Sequence, residues 1–203
     1  MTQPYIVAVE GLDTGDGLED IAGAVAVAAY RAINKTVDHA RAVASREIRE
    51  QINFPARYLT ELDGQGQPRL GVTSRASVGN LAAVLAARDR PTSLARFVVG
   101  STAPAARQRQ GGVKVKVKDT TKTIGRAFIF QLRSGNKGLA VRTAGGPPTG
   151  AWKPLPIGKN LFLLFGPSVN QVFGGDRGVA QDIAPSMADR LEDEFHRLLK
   201  LDL

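Results

Sequence analysis

The chain has 203 residues, 43% of them hydrophobic and 23% charged, which is length and apolar content enough to bury a core without metals or disulfides. It contains no cysteine, which excludes disulfides and thiolate metal sites and fits a reducing compartment. The formal charge is +8, no run approaches the roughly 18 apolar residues of a membrane span, and the start lacks a signal-peptide pattern, so synthesis in the cytoplasm and no membrane partner are expected.

Tyr5 to Val9 is a short β-like run ending at Gly11. GLDTGDGLED follows, where Asp16 as N-cap and Glu19 three residues on form an acidic capping box. Leu18, Ile21, Val25, Ala28, Ala32, Val37, Ala40, Val43 and Ile48 then recur at mostly helical spacing, and no proline intervenes before Pro55. The pattern predicts a long helix within 12–55, roughly 50 Å long at about 1.5 Å per residue. An alanine-rich stripe allows close approach but offers little area, so a lone helix of this kind is poorly held; Val25, Ala28 and Ala32 are candidate oligomer contacts.

After Pro55, Ala56 to Leu62 reads as one or two further helical turns ended by GQGQP. Arg69 to Thr73 and Leu81 to Ala87 read as strands, although LAAVLAA is equally helical by propensity. Residues 100–112 are a flexible loop by composition. VKVKVK, Val113 to Lys118, alternates strictly, with three valines on one face and three lysines on the other. Ala127 to Arg133 and Leu139 to Arg142 are the arms of a hairpin around Ser134-Gly135-Asn136-Lys137-Gly138. A second irregular stretch covers 143–156, and Leu161 to Phe165 is an apolar strand. Ser168 is placed to cap a short helix, VNQVF, closed by Gly174-Gly175. A closing helix over 177–200 carries Val179, Ile183, Met187, Leu191, Phe195 and Leu198 on one stripe, with Pro185 either starting it or kinking it. The expected class is α+β: a long N-terminal helix, an antiparallel sheet across 69–165 and a C-terminal helix, in one domain.

Chemistry is sought in this pattern and not found. His39 and His196 are far apart and set among charged residues, with no metal-ligand spacing. GLDTGDG lacks the lysine and hydroxyl of a phosphate loop. Ser168 is not in a GxSxG elbow, and Glu192 and Glu194 read as a solvated helix face. No cofactor and no catalysis are expected. The charge is the informative feature. From Arg107 to Arg142, ten basic residues against one acid give +9, leaving −1 for all the rest of the +8. Arg107, Arg109, Lys114, Lys116, Lys118 and Lys122 are therefore candidate contacts to DNA or an acidic protein. Aromatic residues make up only 6% and none interleaves with the lysines, so contacts to phosphates rather than base stacking are expected. A competing reading makes the lysines guards of an exposed sheet edge.

A resemblance adds to this. GRAFIFQLRSGNKGLAVR (Gly125 to Arg142), LPI (Leu155 to Ile157) and LFGPSVNQVF (Leu164 to Phe173) look like the signature of the minor tail protein Z family of lambda-like siphophages and prophages. PTSLARF, AYRAINKTVDHAR and VKVKVKD resemble further motifs of that family. Asn170 stands where the family usually has proline, and Gly158 to Leu163 is extra, which affects the local turn. The resemblance implies a structural, non-enzymatic protein that completes the tail at its head-proximal end. It also implies a tail-terminator-like or neck-like homo-oligomeric ring, with six copies as the expected number. Tail terminator, tail tube or connector are the implied neighbours, the packaged DNA end is a further one, and the location is the virion after assembly in the host cytoplasm. Gly166, Pro167 and Ser168 form a structural turn, with Gly166 expected at positive φ. The alternative class is a stand-alone basic nucleic-acid-binding protein, resting on the charge stripe alone.

Overall fold

The computed structural model describes residues 5–8, 19–55, 57–62, 64–133, 135–149, 153–175 and 178–202. Gly11 and the Asp16 capping position lie outside the described residues, as does Ser134 of the hairpin turn. The class is α+β, and the chain divides into two compact units. Unit 1 comprises Met1–Ile48, Thr60–Arg88 and Asn170–Leu203; unit 2 comprises Arg49–Leu59 and Asp89–Val169. The described strands form three antiparallel sheets in place of the single sheet expected.

The long helix, α1, runs from Glu19 to Gln51, and all but its last three residues belong to unit 1. It stops short of Pro55 because a residue preceding proline is pushed out of the helical region. Its stripe is buried: Ala28, Ala32, Ile33, Val37, Ala40, Ala44 and Ile48 all lie in the core. Strands β1 (Tyr5–Ala8), β2 (Leu70–Ser74) and β3 (Ala82–Ala87) form one sheet with β3 in the middle. The ambiguous LAAVLAA is thus a strand. Its Ala83 and Leu85 are buried while Ala82, Val84 and Ala86 are half-buried, which is the period of two a helix cannot give. The closing helix, here called α4, spans Val179–Asp202 and takes Pro185 inside it; the Ser186 hydroxyl donates to the Ile183 carbonyl at 2.9 Å beside the proline.

The alanine stripe finds its neighbour within the chain. Ala28 and Ala32 pack on Leu198, with Leu191, Phe195 and Leu199 around them. At about 0.8 kcal/mol per buried methylene-sized group, alanines supply little burial themselves, so the large side chains of α4 carry it. Ala28 and Ala32 are therefore core residues rather than surface available to another copy, and Val25 is half-buried. Two polar clamps tie the loop after β2 to α1. Asn34 exchanges two hydrogen bonds with the Ala76 backbone, at 2.9 and 3.0 Å, and Arg75 holds Asp38 through both guanidinium nitrogens at 3.0 and 2.8 Å. Glu194 is not the solvated acid expected: Arg197 at 2.8 Å and Lys35 at 3.8 Å flank it.

Unit 2 is built on β4 (Thr92–Ser93), β7 (Ala127–Gln131), β8 (Lys137–Arg142), β9 (Lys153–Gly158) and β10 (Leu161–Gly166). β10 pairs with β8, which pairs with β7; β4 and β9 also pair with β10. A 3-10 turn, Leu94–Phe97, is capped by the Ser93 hydroxyl and buries Leu94 and Phe97. Phe54 stacks on Tyr58 at 5.2 Å and meets Phe97 at 5.5 Å, and the Tyr58 hydroxyl shares a buried hydrogen bond of 2.9 Å with Thr92. Gly166 does not have the positive φ expected of it; a Cβ there would stand 3.2 Å from both Leu94 Cδ2 and Phe97 Cε2, close enough that these side chains would have to give by a few tenths of an ångström. Ser168 is buried, its hydroxyl donating to Asp89 Oδ1 at 3.4 Å ahead of the short helix α3, Val169–Phe173.

Three segments differ from their sequence reading. Residues 57–60 form turns and not helix. Within 100–112 lies a helix, α2 (Pro104–Gln110), with proline in its first turn and a left-handed Gly111 cap at φ 69°. The irregular 143–156 ends in β9, whose prolines hide a strand that pairs along β10 from Lys153 to Gly158.

Candidate functional site

VKVKVK forms a two-stranded ribbon in unit 2. Strand β5 (Val113–Lys116) pairs antiparallel with β6 (Thr121–Ile124), matching Lys114 to Thr123, Val115 to Lys122 and Lys116 to Thr121. Residues directly opposite one another share a face. Val113 and Val115 are buried and fix the inner face; Lys114 is exposed and Lys116 half-buried on the outer face, with Thr121 and Thr123 beside them. Lys118 stands just past the strand and is exposed. The backbone there is held by Asn53, whose N–H donates to the Val117 carbonyl at 2.9 Å and whose amide donates to the Lys118 carbonyl. Lys122 departs from the group. It is opposite Val115 and so belongs to the valine side of the ribbon.

Besides β6, β5 is bridged on its other side by Val98, opposite Val115, and Val99 N–H donates to the Lys114 carbonyl at 3.0 Å. The edge-guard reading is weakened at Lys114 and Val115 only, since β6, which carries Lys122, pairs with β5 alone among the described strands. Gly112, at φ 147°, starts the ribbon where a Cβ would collide with the Ile124 carbonyl oxygen, so the ribbon depends on this glycine.

Arg107 and Arg109 sit in the last turn of α2, where cations complement the helix dipole. Arg109 is exposed, whereas Arg107 is half-buried and turns one guanidinium nitrogen to the Ala127 carbonyl at 3.4 Å. Arg107 is thus partly structural, while Arg109, Lys114 and Lys118 are open to a partner. Arg126, Arg133, Lys137 and Arg142 add exposed cations along the same stretch. By unit, 16 basic residues against 3 acids give unit 2 +13, while 11 against 16 give unit 1 −5.

The described side chains of unit 2 offer mainly hydrogen-bond donors and positive charge. His39 is half-buried, and His196 is exposed with its Nε2 3.8 Å from Glu192 in unit 1. Among the described residues no group of three His, Asp or Glu side chains is placed to hold a metal ion, and no helix is long and apolar enough to cross a membrane. The sequence reading missed Asn34 and Asp38; they lie one helical turn apart in the AYRAINKTVDHAR segment, and that spacing was the available signal.

Compared with known proteins, the chain matches the family model for prophage minor tail protein Z (GPZ) over residues 16–203. No curated protein and no solved structure matches it.

Proposed function

The chain belongs to the prophage minor tail protein Z family, a family of structural phage tail proteins, and from that premise we propose that it completes the head-proximal end of a siphophage tail. In this reading it finishes the tail, makes it competent to join the head, and helps position the genome end. It acts as a homo-oligomeric ring, with six as the expected number, between neighbours such as the tail terminator, tail tube or connector. It performs no chemical step and resides in the virion.

The observation that supports more than the family name is the charge separation, +13 in unit 2 against −5 in unit 1. A ring repeats each basic ribbon around its axis, and that much like charge is tolerable only when screened or matched by a polyanion. A DNA end in the tail channel supplies one. Lys114, Lys116 and Lys118, with Arg109 beside them, meet its phosphates without reading sequence.

Deleting the gene tests the assembly role. Tails that form but fail to yield infectious particles are expected, and normal titres would contradict the reading. The same charge surplus also suits a free DNA-binding protein; such a protein is found apart from purified particles, whereas a tail component stays with them.

A further inference from the structure

Among the described strands of unit 2, β7 and β9 each pair with one neighbour only, and the two edges are finished differently. On β9, Pro154 and Pro156 have no N–H to offer, so its outer side is a poor template for a further strand. β7, AFIFQ, has no proline and no charged residue. Edge strands are ordinarily blunted by such residues, because a bare row of backbone groups invites another chain. β7 keeps its edge open.

The phase of the β7–β8 hairpin shows which groups that edge presents. Leu132 N–H donates to the Asn136 carbonyl at 2.8 Å. Backbone groups alternate sides along a strand, so Phe130 and Phe128 turn theirs to β8, while Gln131, Ile129 and Ala127 turn theirs outward. The Ala127 carbonyl is taken, because Arg107 donates to it at 3.4 Å. Ile129 and Gln131 keep outward N–H and C=O groups with no backbone partner among the described residues. Phe128 and Phe130 share one face of the strand, half-buried, with ring centroids 6.2 Å apart. Arg126 and Arg133 stand just beyond the two ends of β7, and both are exposed.

We propose that β7 is the docking strand for an extended, acid-flanked segment of another tail protein, which adds beside it as a further strand. Ile129 and Gln131 offer donor–acceptor pairs about 6.5–7 Å apart, the repeat at which a strand presents its own. The segment is apolar where it passes Phe128 and Phe130, and acidic at its ends, where it meets Arg126 and Arg133. It comes from a different protein because no described strand of this chain contains Asp or Glu. An antiparallel pair of β7 strands would also set the arginines of one copy against those of the other, and like charges oppose such pairing. That the partner belongs to the tail rests on the preceding reading; the open edge does not.

The test uses the full-length protein and a synthetic peptide, Asp-Val-Thr-Val-Thr-Val-Asp, beside the same core with lysine at both ends. Amide hydrogen exchange in the free protein is expected to be fast at Ile129 and Gln131 and slow at Phe128 and Phe130. The acid-ended peptide should slow exchange at Ile129 and Gln131 and bind about tenfold more tightly than the lysine-ended one. Ile129→Pro deletes an outward N–H that β8 does not use, so the variant should keep its circular dichroism and lose the peptide. Gln131→Pro repeats the test at the other outward position should the first variant unfold. Equal binding of the two peptides, binding that survives the proline variants, or Ile129 and Gln131 amides already protected by a second copy of the chain would overturn the docking. The tail reading fails separately, through normal titres without the gene, and that outcome overturns the partner's identity as a tail protein.

Discussion

Both units build a buried face from small or β-branched residues at regular spacing, yet they manage charge in opposite ways. In unit 1 charges come in pairs: Arg75 with Asp38, Arg69 with Glu61, and Arg197 and Lys35 with Glu194. In unit 2, 16 basic residues share 3 acids, and the strictly alternating strand β5 buries Val113 and Val115 while Lys114 and Lys116 take the other face. Paired charges are explained by the fold that pairs them. A one-signed surplus has no such internal explanation and points to something the chain meets.

The sharpest way to break the contrast is at the packed face of unit 1. Ala32→Glu places a carboxylate against Leu198 and Phe195, with no cation among the residues of that cluster. It should cost about 4 kcal/mol or more and unfold unit 1 in a denaturant titration. A variant that keeps its stability and loses only self-association would return Ala32 to the role of an oligomer contact.

In unit 2, Gly166→Val adds three carbons where even a Cβ meets Leu94 and Phe97 at 3.2 Å, so about 2–3 kcal/mol of destabilisation is expected. Ser168→Ala removes one long hydrogen bond to Asp89 and should cost about 1 kcal/mol. Thermal unfolding of the two variants ranks them. A larger loss from the serine change would demand a role for Ser168 beyond packing.

The smallest effect sharpens the comparison from the paired side. The hydrogen bond and charge of Arg75 hold the Asp38 carboxyl below its usual range. A depressed folded pKa stabilises fully above the unfolded value, about 3.9, and the contribution fades as pH falls through the lower folded value. The pair is largely exposed, so Asp38→Asn should cost less than about 1 kcal/mol at pH 7 and the difference from native should vanish in strong acid. A difference that persists unchanged below pH 2 would show that the pair's charge is not its source.

How much of this was legible follows from which signals are local. The stripe of α1 and the alternation of β5 are short-period patterns, so the sequence reveals the element and its inner face. It does not reveal the neighbour. The alanines of α1 call for close packing, but only the fold shows that Leu198, some 170 residues on, provides it. β9 was hidden by its prolines, and β6 (Thr121-Lys122-Thr123-Ile124) by its lack of apolar alternation. α2 buries no residue and so leaves no stripe to read. The alternation also tells which face of β5 carries Lys114, and Lys114 and Lys118 are exposed. Placing Lys122 on the opposite side required the β5–β6 register, which no local pattern encodes.

The central claim is that the basic ribbon faces a polyanion. Particles carrying Lys114→Gln, Lys116→Gln and Lys118→Gln together test it most directly, because the valine face and both backbone pairings are left intact. Retention of packaged DNA is measured beside particle yield, and affinity of the purified protein for duplex DNA is followed against salt. The account predicts assembled particles that lose DNA, and a log–log salt slope reduced by about 2–3, at roughly 0.9 per phosphate contact. Assembled particles with full DNA retention, full infectivity and an unaltered salt slope would contradict it.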